Sequence, residues 1–579
     1  MSRMKTMFAV LLLAVSVGLV PAAHAATVKV IISGSSAMWQ SMALGAYNNN
    51  ACVSGGVAPC FHYTASNFNL TDTRPTSKGG SNATDVGNVW IVWDSSPSPN
   101  VWAYARVDSI VGVRCYFAQP HCNINIATFP APGNLINSKL WGDSTTDTTP
   151  PADVQALFTA GVQVNTGATD IRPEDALFNQ CRSNSQLGGG VDGLAGLGYG
   201  ANASGVCPTF ASPLANLVGS PILSGYPAST STANNLAFAI SGKDPFTNTT
   251  IPAPTTTSVG AAPIIFITNR INSLSGVKDA TEAQLQSAFS GNQCTGNVFV
   301  GGGPGNMNVY LREPLSGTMN TTEYSVFRYP DFSGKSQETG VNAMNPLANK
   351  ACTAGGSRFH SIGTGEEVKF VLNSNVNFGV DGIGYTFFSY GNVSSIANNA
   401  NYGYLTLNGV DGIFHKYGST IDPGQPNTPG VLPNASNLPA SCAADFPCAE
   451  NVIWSGNLSF PNLRNGSYRA WSVLRVISNG TPLANVRLLV TTAQKYVVTT
   501  VPDFVPALAV NGVPADPGLK LLRSHYTQMG IVPVNIATAG DKGGDEGGCI
   551  LHSSGTAATS DTTTKLAMAA PAGGCVSVP

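Results

Sequence analysis

Thr27 to Ile32 is a short β-branched run of strand character, and it leads directly into Ser33-Gly34-Ser35-Ser36 and the helix-compatible stretch Ala37 to Tyr47. Strand, small-residue turn and helix are expected in that order. Residues 50–160 are rich in Asn, Ser, Thr, Pro and aromatics, and only Val89 to Trp93 and Ile110 to Phe117 read as strands there. Beyond the Gly-rich stretch 188–200, a loop-like region reaches about Val259. Ala262 to Thr268 then reads as a buried strand opened by Pro263, where a missing N–H is tolerated. Thr281 to Gly291 predicts a short helix with Thr near its start and Gly past its end. Asn308 to Arg312 is strand-like, and from Ser316 the chain turns helical through Tyr324 and Phe327, so the strand-turn-helix pattern recurs. Ile383 to Tyr390 and Tyr404 to Leu407 read as further strands, Tyr468 to Ile477 and Ala484 to Val498 as a strand and a helix. Strands alternating with helices predict an α/β architecture. There is no fixed-period repeat.

Composition narrows the class. A chain of 579 residues is long enough for two or more compact units. Charged residues make up only 10%, and 29 Lys+Arg against 31 Asp+Glu leave a net charge of −2. That balance lacks the basic field that draws in phosphate backbones, so no nucleic-acid partner is expected. Hydrophobic residues reach 43%, too many for disorder, while 63 Gly and 38 Pro mark a turn-rich globular chain. Arg3 and Lys5, the apolar run Met7 to Val20 and Ala23-His24-Ala25 have the layout of a cleavable export signal over residues 1–25. The apolar run, about 14 residues, is short of the roughly 20 that cross a bilayer. No Cys follows the expected cut and no later segment reads as membrane-spanning. The protein is therefore expected to be periplasmic or secreted, without stable membrane insertion.

Export permits disulfides, and the 12 Cys fall into sequence neighbours: Cys52 and Cys60, Cys115 and Cys122, Cys181 and Cys207, Cys294 and Cys352, Cys442 and Cys448, Cys549 and Cys575. Short loops are the easiest to close, so nearest-neighbour pairing is expected, although the sequence does not exclude other connectivities. No C-x-x-C or C-x-x-C-H occurs and the seven His are scattered, so no metal and no cofactor are expected.

Two strand-to-helix turns carry hydroxyls, Ser33-Gly34-Ser35-Ser36 and Leu315-Ser316-Gly317-Thr318. Each would aim backbone N–H and side-chain O–H groups at one spot, as helix starts do when they hold anions, although serine caps at helix starts are common for structural reasons alone. Arg312, four residues before Ser316, offers a planar fork suited to a tetrahedral oxyanion. Thr169-Asp170 pairs a hydroxyl donor with a carboxylate that only accepts at neutral pH. It also reads as a helix cap before Pro173-Glu174-Asp175. In an anion site, such a carboxylate admits a ligand that brings a proton, such as hydrogen phosphate, and rejects sulfate.

The ordered set of segments resembles the periplasmic phosphate-binding components of ABC importers, of the type 2 periplasmic binding protein superfamily. It comprises the first strand with Ser33-Gly34-Ser35-Ser36, Gly167-Ala168-Thr169-Asp170, Pro263 to Asn269, Gln284-Leu285 with Phe289-Ser290-Gly291, Arg312 with Ser316-Gly317-Thr318, and Gly382-Ile383-Gly384-Tyr385. Arg-x-x-x-Ser-Gly-Thr is its most specific member, and the likeness covers about half of the mature chain in patches.

The resemblance implies two α/β lobes closing on a ligand: a two-lobe, periplasmic-binding-protein-like fold with long loop-rich insertions. It implies lobe 1 over 26–260 with an insertion at about 50–160, lobe 2 over 261–395, and a return to lobe 1 over 396–535 with an insertion at about 391–465. A low-complexity tail follows over 536–579. The implied anion contacts are Ser35, Ser36 and Ala37 of the first turn, Thr169 and Asp170, and Arg312, Ser316, Gly317 and Thr318. Ala37-Met38 departs from the family, which has a hydroxyl residue before an aromatic there, and Glu313-Pro314 departs after Arg312. A further serine implied between the first turn and Asp170 is not located by the pattern.

The function so implied is uptake of phosphate or a similar oxyanion by a monomer that serves an ABC permease. No G-x-S-x-G or H-E-x-x-H occurs, and His360 and His415 lack partners at ligand spacing, so no enzyme is expected. Two alternatives stand beside the transport reading: a surface or secreted scaffold that keeps the fold without transport, and a secreted phosphate-ester hydrolase.

Overall fold

The computed structural model describes residues 25–47, 52, 56–71, 82–83, 87–117, 120–133, 135–136, 147–170, 255–312, 316–327, 350–361, 363–389, 401–413, 460–464, 468–499, 503–507, 521–522 and 550–551. The apolar leader, the Gly-rich stretch 188–200, residues 414–459 of the second expected insertion and most of the expected tail lie outside them. So do Cys181, Cys207, Cys442, Cys448, Cys549 and Cys575. Among the described residues, disulfides join Cys52 to Cys60, Cys115 to Cys122 and Cys294 to Cys352.

Among the described residues, fourteen strands share one mixed sheet. In chain order its main elements begin with strand β1 (Thr27–Gly34), helix α1 (Trp39–Tyr47), β2 (Cys60–Ala65), β3 (Asn88–Asp94) and β4 (Asn100–Arg106). Helix α2 (Ser109–Phe117), α3 (Ala152–Ala160), β5 (Thr166–Thr169), β6 (Thr255–Asn269) and α4 (Glu282–Phe289) follow. Then come β7 (Met307–Arg312), α5 (Gly317–Thr322), β8 (Ser357–Ser361), α6 (Thr364–Phe378) and β9 (Asp381–Phe387). β10 (Tyr402–Leu407), β11 (Trp471–Ser478) and α7 (Pro482–Thr499) complete the set. The spatial order β8-β7-β9-β6-β11-β5-β1-β4-β3-β2 places strands distant in sequence side by side.

β6 divides this sheet into two halves. Its first part, Thr255 to Pro263, pairs antiparallel with β11, while Ile264 to Asn269 pairs with β9 and β10. The sequence reading has Pro263 opening the strand, but the strand starts eight residues earlier, at Thr255. Proline is tolerated inside because the ladder changes partner at that point: its carbonyl accepts from Phe388 N (2.8 Å), and Ile264 N donates to Ala470 O (2.6 Å). Segment 396–535 first enters the sheet through β10 on the second half, and through β11 on the first.

A second correction concerns Ile110 to Phe117, which is helix α2 rather than a strand. Its β-branched residues favour strand by propensity, yet tertiary packing decides, because α2 lies directly on β1 and β5. Gly112 permits the approach: a Cβ there would stand 2.4 Å from Gly34 Cα and 2.5 Å from Ser33 O. Helix α1 is buried along almost its whole length and is crossed by α7, with Gly45 against the Ala493 backbone. Trp90, Trp102 and Tyr104 belong to the apolar core, which runs through both halves of the sheet. The architecture is α/β.

Candidate functional site

Parallel strands place the residues that follow them on one edge, where ligands gather in open α/β sheets. In the first half, β1, β4 and β5 run parallel, so Ser35, Asp108, Ser109 and Asp170 come out at one rim. In the second half, β7 and β8 run parallel and end at Arg312 and Ser361, before α5 and α6 begin.

Asp170 is the meeting point. Its side chain is buried; Ser35 Oγ donates to Oδ2 (3.3 Å) and Ser109 Oγ donates to Oδ1. Asp170 N in turn donates to Ser109 Oγ (3.3 Å). Gly317, at the start of α5 in the other half, packs on this carboxylate so closely that a Cβ would stand 1.5 Å from Oδ1 and 2.6 Å from Ser109 Oγ. Only a residue without a side chain fits there. Burial pushes the Asp170 carboxyl up to about 6, against the Ser109 bond, its own backbone N–H, the Arg312 charge and the Ser35 bond, all of which pull it down. Asp170 and Arg312 are therefore within electrostatic reach, though they come from opposite halves.

Arg312 is buried in a web of its own. Nη2 donates to Asp108 Oδ1 (2.8 Å), Nη1 donates to Thr364 Oγ1 (3.0 Å), and Nε lies 3.8 Å from Glu367 Oε2. Its backbone N donates to Tyr385 Oη (3.3 Å), while Tyr385 N donates to Glu367 Oε1 (2.9 Å), so β9 holds the acid in place. Asp108 belongs to the first half, and its bond to Arg312 ties the halves together. Ser36 and Thr364 add a second tie through their hydroxyls, 2.9 Å apart.

The other expected residues sort by role. Ser35 Oγ accepts from Ala37 N (3.2 Å) and so shapes the first turn, whose Ala37 contributes backbone. Thr169 ends β5, buried, and Asp170 follows it, while Pro173-Glu174-Asp175, before which Thr169-Asp170 also reads as a helix cap, lie outside the described residues. Ser316 Oγ accepts from Met319 N (3.3 Å) at the start of α5, and Thr318 is buried beside it. Sequence reasoning misses Ser109, Asp108, Thr364 and Glu367. Ser109 stands at the start of α2, and a hydroxyl before an apolar helical run was the signal for it. Among the described residues, no group of His, Cys, Asp and Glu is arranged to hold a metal ion. Nor is any described helix long and apolar enough to cross a membrane.

No protein-family model matches this chain, and no curated protein does. Solved structures match the chain in part. A phosphate-binding protein from Stenotrophomonas maltophilia shares 14% identity over 73% of this chain and 84% of its own, with a TM-score of 0.31. PstS from Borrelia burgdorferi shares 13% over 42% of this chain and 69% of its own, at 0.23. An ABC-type phosphate transport receptor from Vibrio cholerae shares 13% over 41% of this chain and 66% of its own, at 0.22.

Proposed function

We propose that this chain is an exported, monomeric solute-binding protein that clamps a tetrahedral oxyanion, phosphate foremost, between the two halves of its sheet for ABC-type uptake. One observation carries the reading: Asp170 of the first half is buried against Gly317 of the second, beside the Arg312 charge. A carboxylate among donors suits an anion that still holds a proton. Hydrogen phosphate and hydrogen arsenate bring one, whereas sulfate at neutral pH would set lone pair against lone pair. The Thr364 hydroxyl and the backbone N–H groups of residues 316–318 supply the remaining donors, while Ser35 and Ser109 hold the carboxylate. Both Ser35 and Ser109 donate to Asp170, and the residues gathered here include no imidazole to activate a serine, which supports recognition over hydrolysis.

Calorimetry at pH 7 tests the reading. Phosphate and arsenate are expected to bind, with sulfate weaker by about 100-fold or more. Sulfate binding as tightly as phosphate would remove Asp170 as a proton filter, and no binding of any of the three would end the oxyanion reading. The engagement of Arg312 by Asp108 and Glu367 favours a second reading, a secreted scaffold that keeps the fold without transport. Such a scaffold gains no stability from phosphate.

A further inference from the structure

Arg312 is not the only guanidinium at this rim. Arg106 ends β4 and stands opposite Gly34 in the parallel ladder, one residue before the turn that carries Ser35. Its Cζ lies 4.9 Å from the centroid of the Trp39 ring. With the Asn88 amide oxygen facing the guanidinium, Oδ1 accepts from Arg106 Nε (3.0 Å) and from Nη2. Nη2 also comes within 3.6 Å of the position a Cβ at Gly365 would take. Arg106 thus reaches from the first half onto the first turn of α6, next to Thr364, which Arg312 and Ser36 both touch.

The two guanidinia have different company. Arg312 faces Asp108 at 2.8 Å and Glu367 at 3.8 Å, so fixed carboxylates more than match its charge. Arg106 has an amide oxygen and an aromatic face, and it pairs with no carboxylate among the described residues. Burial, with Arg312 as a like-charged neighbour, draws its guanidinium down to about 10, which leaves it cationic at pH 7. A half-buried charge held next to a like charge costs stability unless an anion completes the arrangement.

We infer that Arg106 is the ligand-directed cation of this site, the residue whose unmatched charge attracts and holds the oxyanion, while Arg312 positions the donors around it through Asp108 and Thr364. The inference rests on the oxyanion-binding reading and deepens it by naming the side chain whose charge is left for the anion, since the Arg312 charge is matched by Asp108 and Glu367.

The test is titration of full-length protein with inorganic phosphate at low salt and at about 0.15 M salt, for wild type, Arg106→Gln and Arg106→Lys, with thermal unfolding of each. Arg106→Gln is expected to weaken phosphate binding by about 10- to 100-fold, as loss of a charge-assisted bond does. It should also flatten the salt dependence, and leave the unfolding midpoint unchanged or higher, because a like-charge contact is relieved. Arg106→Lys should lose less affinity than Arg106→Gln. Three results each overturn the inference: Arg106→Gln binding within about threefold of wild type, Arg106→Lys losing as much affinity as Arg106→Gln, or a loss in Arg106→Gln matched by a lower unfolding midpoint. Wild-type protein that binds none of the anions instead sinks the oxyanion reading, and that titration precedes any variant.

Discussion

Asp170 shows how one side chain can be costly to the fold and useful to the site. Its carboxyl, ordinarily near 3.8, is pushed up to about 6, mainly because burial disfavours the charged form. The folded chain then holds this proton more firmly than the unfolded chain does. Stability from this group is therefore fully present below about pH 4 and declines as pH rises through about 6, by an amount on the order of 3 kcal/mol. Asp170→Asn has no proton to lose. Urea unfolding from pH 4 to 7 should show wild type losing stability relative to Asp170→Asn across that window, and parallel profiles would show that the carboxyl is not perturbed. Asp170, Ser35 and Arg312 were legible in the sequence because each ends or follows an apolar strand at a marked turn or motif. Asp108 and Arg106 were not. Arg106 ends and Asp108 follows the strand Asn100 to Arg106, whose aromatics and small residues carry no strand alternation, and their roles depend on partners contributed by distant segments.

At the scale of elements, backbone proximity outweighs propensity. Ile110, Val111 and Val113 suit a strand, yet α2 forms because Gly112 lets it lie against the β1 backbone, which sets Ser109 on Asp170. Gly112→Ala would gain up to about 1 kcal/mol of helix propensity. That is less than the overpacking cost of about 1–3 kcal/mol when a Cβ meets backbone that cannot yield. We expect the variant to unfold at lower temperature and to bind phosphate more weakly, since α2 carries Ser109 with it. Unchanged unfolding temperature and affinity would show that the contact is looser than the structure has it. Elements with strong local signals were readable: β1 and β11 from β-branched runs, and α4 from Thr281, whose side chain forms a full capping box with Gln284. Helix α6 was hidden. Gly363 at its N-cap makes no side-chain cap bond, and Asn373, Asn375 and Asn377 dilute the spacing of Val368, Val371 and Leu372.

Across the whole molecule, the two halves meet through polar ties, and Asp108 serves two ends in that meeting. Its bond to Arg312 Nη2 joins the halves, while its negative charge stands where the proposed ligand brings more. Asp108→Asn keeps the shape and removes the charge, so its effects on the fold and on the ligand should oppose each other. Without ligand the variant loses a buried charge-assisted bond, for about 1–3 kcal/mol, and the remaining Glu367 contact keeps Arg312 from standing uncompensated. With ligand, one fewer carboxylate opposes the anion, and phosphate should bind about tenfold more tightly. At phosphate one hundred times the wild-type dissociation constant, wild type should gain about 2.7 kcal/mol and Asp108→Asn about 4.1 kcal/mol. Denaturant unfolding of both proteins with and without phosphate measures the four free energies. Equal gains would mean that the Asp108 charge does not reach the ligand, and a gain of zero in both would leave a fold whose halves are latched by Asp108 and Arg312 without transport.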